Sequence, residues 1–156
     1  MSSLTIGFDP DLFDPTVSTR EAPLKWVIVV DSALPPGRAV NAAVCVAAAT
    51  QARVTGLLGP EVADASGAPH PGLPWLGCTI LAAPGVRLPE LRAKAAARED
   101  LFVADMVAAA QATRVYAEYV DELAARAADE HEYLALSLVG PRNRVDRLVG
   151  RLPLLG

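Results

Sequence analysis

Residues 134–156 read LALSLVGPRNRVDRLVGRLPLLG. The apolar run Leu134, Ala135, Leu136, Ser137, Leu138, Val139 has the length of a strand, and Gly140-Pro141 is a turn signal where a strand should stop. A helical turn or two follows, with Val145, Leu148 and Val149 on one side and Arg142, Arg144, Arg147 and Arg151 elsewhere. The apolar tail 152–155 is then free to pack back on the body.

Working outward, residues 25–31 (KWVIVVD) form the strongest strand of the chain. Trp26, Ile28 and Val30 make one face apolar, and Val27 and Val29 the other. A strand apolar on both faces is expected at the centre of a sheet covered on both sides. Pro35-Pro36 suits a helix start, and 38–53 reads as an alanine-rich helix able to pack closely on a sheet. This strand–helix opening predicts an α/β layer architecture. Residues 54–74, in which four glycines alternate with four prolines, read as a long irregular loop with a turn at 64–67. Further strands are expected at 75–83, 101–106 and 132–139, and a short helix at 88–98. The longest helix is expected at 107–128. Its inward stripe would be Met106, Ala109, Thr113, Tyr116, Val120, Leu123 and Ala127, with Arg114–Glu118 and Glu122–Arg126 as outer ion pairs. Residues 1–24 form an arm in which Phe8-Asp9-Pro10 recurs as Phe13-Asp14-Pro15, the phenylalanines pinning it to the body or to a second subunit. Residues 25–156 form the domain.

A chain of 156 residues suits a single domain, and a 52% apolar content excludes a disordered one. No apolar run reaches the ~18 residues of a membrane span. The opening MSSLTIGFDPDLFDP lacks the basic and apolar regions of a signal peptide, so a cytoplasmic location is expected. Cys45 and Cys78 lie in apolar stretches and read as buried thiols of a reducing compartment, ahead of a disulfide or a catalytic thiol. A net charge of −4 counts against non-specific nucleic-acid binding as the main task. The charge is uneven, however. Residues 139–156 carry four arginines against Asp146, which makes either a local basic face or a solvated helix face.

Three places could carry chemistry. At Gly37–Asn41 a helix N-terminus offers free N–H groups, Arg38 adds a full positive charge, and Asn41 is the one amide among apolar residues. Together they suit a phosphate or carboxylate; alternatively Arg38 is solvated and Asn41 completes a cap. Asp105, ending an apolar run, is either a buried base or a helix N-cap, with Thr113 beyond it on the apolar stripe. Asp64, Ser66 and His70 share the long loop, but no nucleophile elbow surrounds Ser66. His70 and His131 are far apart, with no HxH or CxxC, so no metal is expected. There is no P-loop and no GxGxxG, so no cofactor is expected.

The ending "LVGPRNRVDRLVGRLPLL" and the opening "KWVIVVDSALPPGRAVNAAV" resemble those of type 2 peptidyl-tRNA hydrolases. In that family the basic residue of the first turn belongs to the active site. Arg38 matches it where the family has lysine, and an arginine binds anions but does not abstract protons. The hydrolases also use an aspartate followed shortly by a threonine before the last strand. Asp105 and Thr113 correspond in type but not in spacing. With the middle pieces GPEVADASGAPHPGLPW and ADMVAAAQATRVYAEYVDELA, the chain most resembles a bacterial domain-of-unknown-function family, numbered two thousand, that shares the hydrolase fold. The resemblance implies an α/β single domain of three layers, a mixed four-stranded sheet with helices on both faces. It also raises a possible hydrolase or transferase of acyl or aminoacyl esters on a phosphate-bearing or tRNA-like substrate. Asp105, Asn41 and Thr113 would then lie nearest the bond, and Gly37, Arg38, His70, Arg142 and Arg144 would bind the substrate or its anionic groups. The alternative is a non-catalytic small-molecule-binding or homodimeric assembly module on the same fold.

Overall fold

The run LKWVIVVD becomes strand β1 (Leu24–Asp31), and in the computed structural model, which describes residues 14–156, its last six residues are all buried. Helix α1 (Pro36–Arg53) follows, with Pro35 at its cap. The short strands β2 (Val62–Ala63) and β3 (Pro69–His70) come next, then β4 (Thr79–Ala83) and helix α2 (Leu88–Ala96). The second half is β5 (Phe102–Val107), α3 (Ala109–Ala112), α4 (Tyr116–Ala124), β6 (Tyr133–Pro141) and α5 (Arg142–Val149). The main sheet has the order β4-β1-β6-β5, with β4 parallel to β1 and the other two pairings antiparallel.

The alternation along β1 feeds two cores. Trp26, Ile28 and Val30 pack with Ala39, Ala42 and Val46 of α1. Val27 and Val29 join Leu136 and Leu138 against Leu88 and Leu91 of α2 and Val145 and Val149 of α5. The expected three layers around a mixed four-stranded sheet therefore form. No described helix is long and apolar enough to cross a membrane.

One buried polar chain crosses the first core. The Trp26 indole N–H donates to Ser137 Oγ at 2.8 Å, Ser137 and Thr50 hydroxyls meet at 2.6 Å, and Thr50 donates to the Val46 carbonyl at 2.7 Å. Thr50 has one proton and it goes to Val46, so Ser137 donates to Thr50. Each buried donor is thereby matched.

Four expectations change. The helix expected at 107–128 does not form: β5 runs to Val107, α3 is a single turn, Thr113 is extended (φ −102°, ψ 154°), and α4 starts at Tyr116. The cause is tertiary. Ala108 and Ala110 pack into the α1-side core, whereas Tyr119 and Leu123 pack into the opposite one, so the chain must round the outer edge of β5. One straight helix cannot do that. The Thr113 hydroxyl, bonded back to the Ala109 carbonyl at 2.9 Å, marks the break. Tyr116 and Val120, placed inward by the periodicity, are exposed, while Glu122–Arg126 pairs at 3.3 Å as expected.

The 54–74 stretch is an ordered hairpin rather than an irregular loop. Val62 pairs with His70, the Gly59 N–H donates to the Leu73 carbonyl at 2.8 Å, and a Cβ on Gly72 would overlap the Gly59 carbonyl. The last strand does not stop before Gly140-Pro141 but includes both. A Cβ at Gly140 would strike Leu101, and because β5 begins opposite Val139, Pro141 lies where β6 has a single neighbour. Cys45 is exposed and Cys78 is half-buried, so only the second matches the expected buried thiol.

The 152–155 tail packs back through its backbone. Ala82 N–H donates to the Pro153 carbonyl at 2.9 Å and Leu155 N–H to the Ile80 carbonyl at 3.0 Å, covering the outer edge of β4. At the other terminus, Phe8 and Phe13 lie outside the described residues. The Arg142 guanidinium holds the adjoining segment through the Thr19 and Ala22 carbonyls.

Ser137→Ala should lower stability by ~1–3 kcal/mol, since it leaves the buried Trp26 N–H without an acceptor. Thermal denaturation checks this; an unchanged Tm would mean that the polar chain contributes nothing.

Candidate functional site

The exposed residues Arg38, Asn41, Cys45 and Ala49 follow one another along α1 at steps of three and four, and so form a single stripe. That stripe faces α3, and Gln111 makes the joint. Arg38 Nε donates to Gln111 Oε1 at 2.6 Å, and Gln111 Nε2 donates to Asn41 Oδ1 at 3.1 Å and to the Arg38 carbonyl at 3.0 Å. Gly37, Arg38, Asn41, Ala110 and Gln111 line an open mouth of about 390 Å³.

Ala110 also belongs to a deeper groove of about 460 Å³, walled by Cys45 and Ala49 of α1, Asp105 and Met106 of β5, Thr113, and Tyr116 and Tyr119 of α4. The groove exists because the chain rounds β5 between α3 and α4. The two tyrosine rings lie 5.4 Å apart at a 59° tilt. Burial, with Tyr116 and Asp105 nearby, pushes the Tyr119 hydroxyl above its ordinary value, so it stays protonated at neutral pH.

Asp105 sits inside β5 and not at a helix start, which removes the N-cap alternative. Its side chain is 20% exposed and its Oδ2 accepts from Arg92 Nε at 2.7 Å. Arg92 in turn lies 5.6 Å from the Tyr133 ring centre, a cation–π distance. The Asp105 carboxylate is thus held in place from the α2 side while it borders the groove. Asp105 and Thr113 therefore line the groove, Gly37, Arg38 and Asn41 line the mouth beside it, and Ala110 belongs to both.

The other residues singled out in the sequence lie elsewhere. Asp64, Ser66 and His70 meet, but as a turn clasp. The Ser66 hydroxyl donates to Asp64 Oδ1 at 2.6 Å, the Ser66 and Ala68 amides donate to the same oxygen, and His70 Nε2 lies 3.0 Å from Asp64 Oδ2. Serine addresses the carboxylate and not the imidazole, which is not triad geometry. The Ser66 hydroxyl, then His70, then the backbone amides hold the Asp64 carboxyl well below the usual carboxylate range. A depressed carboxyl helps the folded state above its unfolded pKa, and that help fades only as pH falls through the folded value. The clasp should thus persist through mild acid.

Arg142 and Arg144 stand at the other end of the sheet. Pro141, just before them, pairs with Leu24 at the start of β1, whereas Arg38 follows its end. Eight strand residues span roughly 26 Å. Arg142 is engaged with backbone carbonyls, and Arg144 lies 3.4 Å from Asp100. Arg38 and the C-terminal arginines therefore stand at opposite ends of the sheet, too far apart to share one phosphate. Among the described residues, no group of His, Cys, Asp and Glu is arranged to hold a metal.

Gln111, Arg92 and Tyr119 escaped the sequence reading. Gln111 carried a signal, being a lone amide in an apolar stretch as Asn41 is; the Arg92–Asp105 pairing carried none.

A family model described as a protein of unknown function (DUF2000) matches residues 24–156, and the chain belongs to that family. The solved structure of a protein of unknown function, Atu0240 from Agrobacterium tumefaciens strain C58, shares the fold with a TM-score of 0.79. The two are 16% identical, and the match covers 86% of this chain and 98% of that one. No curated protein matches the chain.

Burial pushes the Cys78 thiol up to about 12, while Cys45 is exposed in the groove. At about pH 8 a disulfide reagent should therefore titrate one fast thiol per chain, absent in Cys45→Ser. Two fast thiols would contradict the placement of Cys78.

Proposed function

We propose that this member of the DUF2000 family, on a scaffold of the type 2 peptidyl-tRNA hydrolase kind, binds a small molecule with an anionic head and an apolar or aromatic body. The carrying observation is that Arg38, fastened by Gln111, lines a hollow that adjoins, through Ala110, a 460 Å³ groove with two tyrosines in its wall. Such a volume lies within the ~300–1,000 Å³ of small-molecule sites. Arg38 uses Nε on Gln111, and its terminal nitrogens are the fork that suits a carboxylate or phosphate. The N-terminus of α1, with no acidic residue in its first turn, adds positive potential there.

A small ligand is favoured over a tRNA. Polynucleotide binding needs several phosphate contacts along one face. Here the cations are split between the two ends of the sheet, and the chain is acidic overall.

A second activity at the same groove has its own support, because Asp105 and Thr113 border it. Arg92 orients Asp105 through Oδ2, which leaves Oδ1 to take a proton from water attacking an acyl or aminoacyl ester. Arg38 would hold the anionic part of that substrate and stabilise charge developing on the carbonyl oxygen. It would not act as the base.

Both readings have a direct test. Aromatic and aliphatic carboxylates and their phosphate counterparts should slow alkylation of Cys45, which lines the groove. Arg38→Ala should weaken that protection about tenfold or more, with little change in Tm because the residue is exposed. Equal protection in the variant would remove Arg38 from the site. Release of N-acetyl-amino acid from N-acetyl-aminoacyl-tRNA at low salt, lost in Asp105→Asn, would establish hydrolysis; no release from the wild type would leave binding as the activity.

A further inference from the structure

A hollow of about 400 Å³ lies at the opposite end of the sheet, between the 19–23 segment, the start of β1 and the 76–79 approach to β4. Three cations line it: Arg20, Lys25 and Arg142. Among the described residues, no acidic side chain does.

The hollow is pre-organised. Arg142 donates from Nε to the Ala22 carbonyl at 2.8 Å and from a terminal nitrogen to the Thr19 carbonyl at 2.5 Å. Two of its five N–H donors thus fix the guanidinium, and three remain. Lys25 Nζ is held 2.5 Å from Asp146 Oδ1, with its side chain 25% exposed. Thr19 and Thr79 add hydroxyls to the wall. Burial keeps the Cys78 thiol protonated, so it contributes no opposing charge.

Asp146, 43% exposed, offsets one of the three cations and leaves a net charge of about two. Trp26 and Leu76 belong to the wall, but they are 5% and 6% exposed and offer little apolar surface. Recognition here is therefore by charge and hydrogen bonds, unlike that in the tyrosine-walled groove. A planar fork beside a point-charge ammonium suits a tetrahedral dianion better than a single carboxylate.

We infer that this hollow is a second anion site, independent of the groove, that takes a phosphate or diphosphate group.

The test is calorimetric titration of the full chain with inorganic phosphate and with pyrophosphate at low salt, where screening is weak. The wild type should bind at least one of them. Arg20→Ala, which leaves the Arg142 clasp on the segment intact, should weaken binding about tenfold. Lys25→Met should do the same, with thermal denaturation verifying that it is folded. Arg38→Ala removes the groove's own anion contact and should keep the binding that Arg20→Ala and Lys25→Met weaken, which separates this site from the groove. Absence of binding to both anions would overturn the assignment. So would loss in Arg38→Ala with retention in Arg20→Ala and Lys25→Met.

Discussion

The antiparallel insertion of β6 between β1 and β5 is the constraint on which the rest of the molecule depends. Eight of its nine residues are buried, and it pairs with both neighbours. Its side chains supply both cores, and Ser137 gives the Trp26 indole its acceptor. Between Tyr133 and Ala135 it carries one residue more than β5 opposite, so Leu134 forms a bulge that locally bends the pairing. Because β6 takes the central place, β5 becomes an edge strand. The chain leaving β5 must then wrap that edge, and the groove is the space enclosed by the wrap.

The same strand accounts for the separation of charge. Its end delivers α5 and Arg142 to the start of β1, while α1 and Arg38 emerge from the end of β1. Two cationic places consequently face different surroundings. Arg38 opens onto Asn41, Ala110 and Gln111 beside the tyrosine-walled groove, and Arg142 shares a polar hollow with Arg20 and Lys25. Fixing a guanidinium on an amide or on carbonyls reduces the rotamer freedom lost when a ligand arrives, which favours the binding proposed at both places.

Much of this was legible because the local pattern and the tertiary role agree. KWVIVVD is apolar on both faces, and it is a central strand buried on both. The RVDRLV helix has Val145 and Val149 on one side, and those are the residues it buries. The pattern misled at 107–128, where apolar residues at steps of three and four suit one helix but have to serve two cores on opposite faces of a sheet. It also misled at Gly140-Pro141, where the glycine answers to the approach of Leu101 and not to a turn. Within the site, Arg38 and Asn41 stood out as polar residues in an apolar stretch. Their partner Gln111 lies seventy-odd residues away, and the ion pair of Asp105 with Arg92 depends on how α2 settles against β5. Such pairings are products of topology, so no spacing rule finds them.

The most direct test of the groove as the functional surface is a two-dimensional amide NMR titration with the tightest carboxylate or phosphate found by thiol protection. Shifts gathered on Arg38, Asn41, Cys45, Gln111, Tyr116 and Tyr119, absent in Arg38→Ala, are the expected result. Shifts confined to the 54–74 hairpin or to α5, with those six amides unmoved, would contradict the assignment.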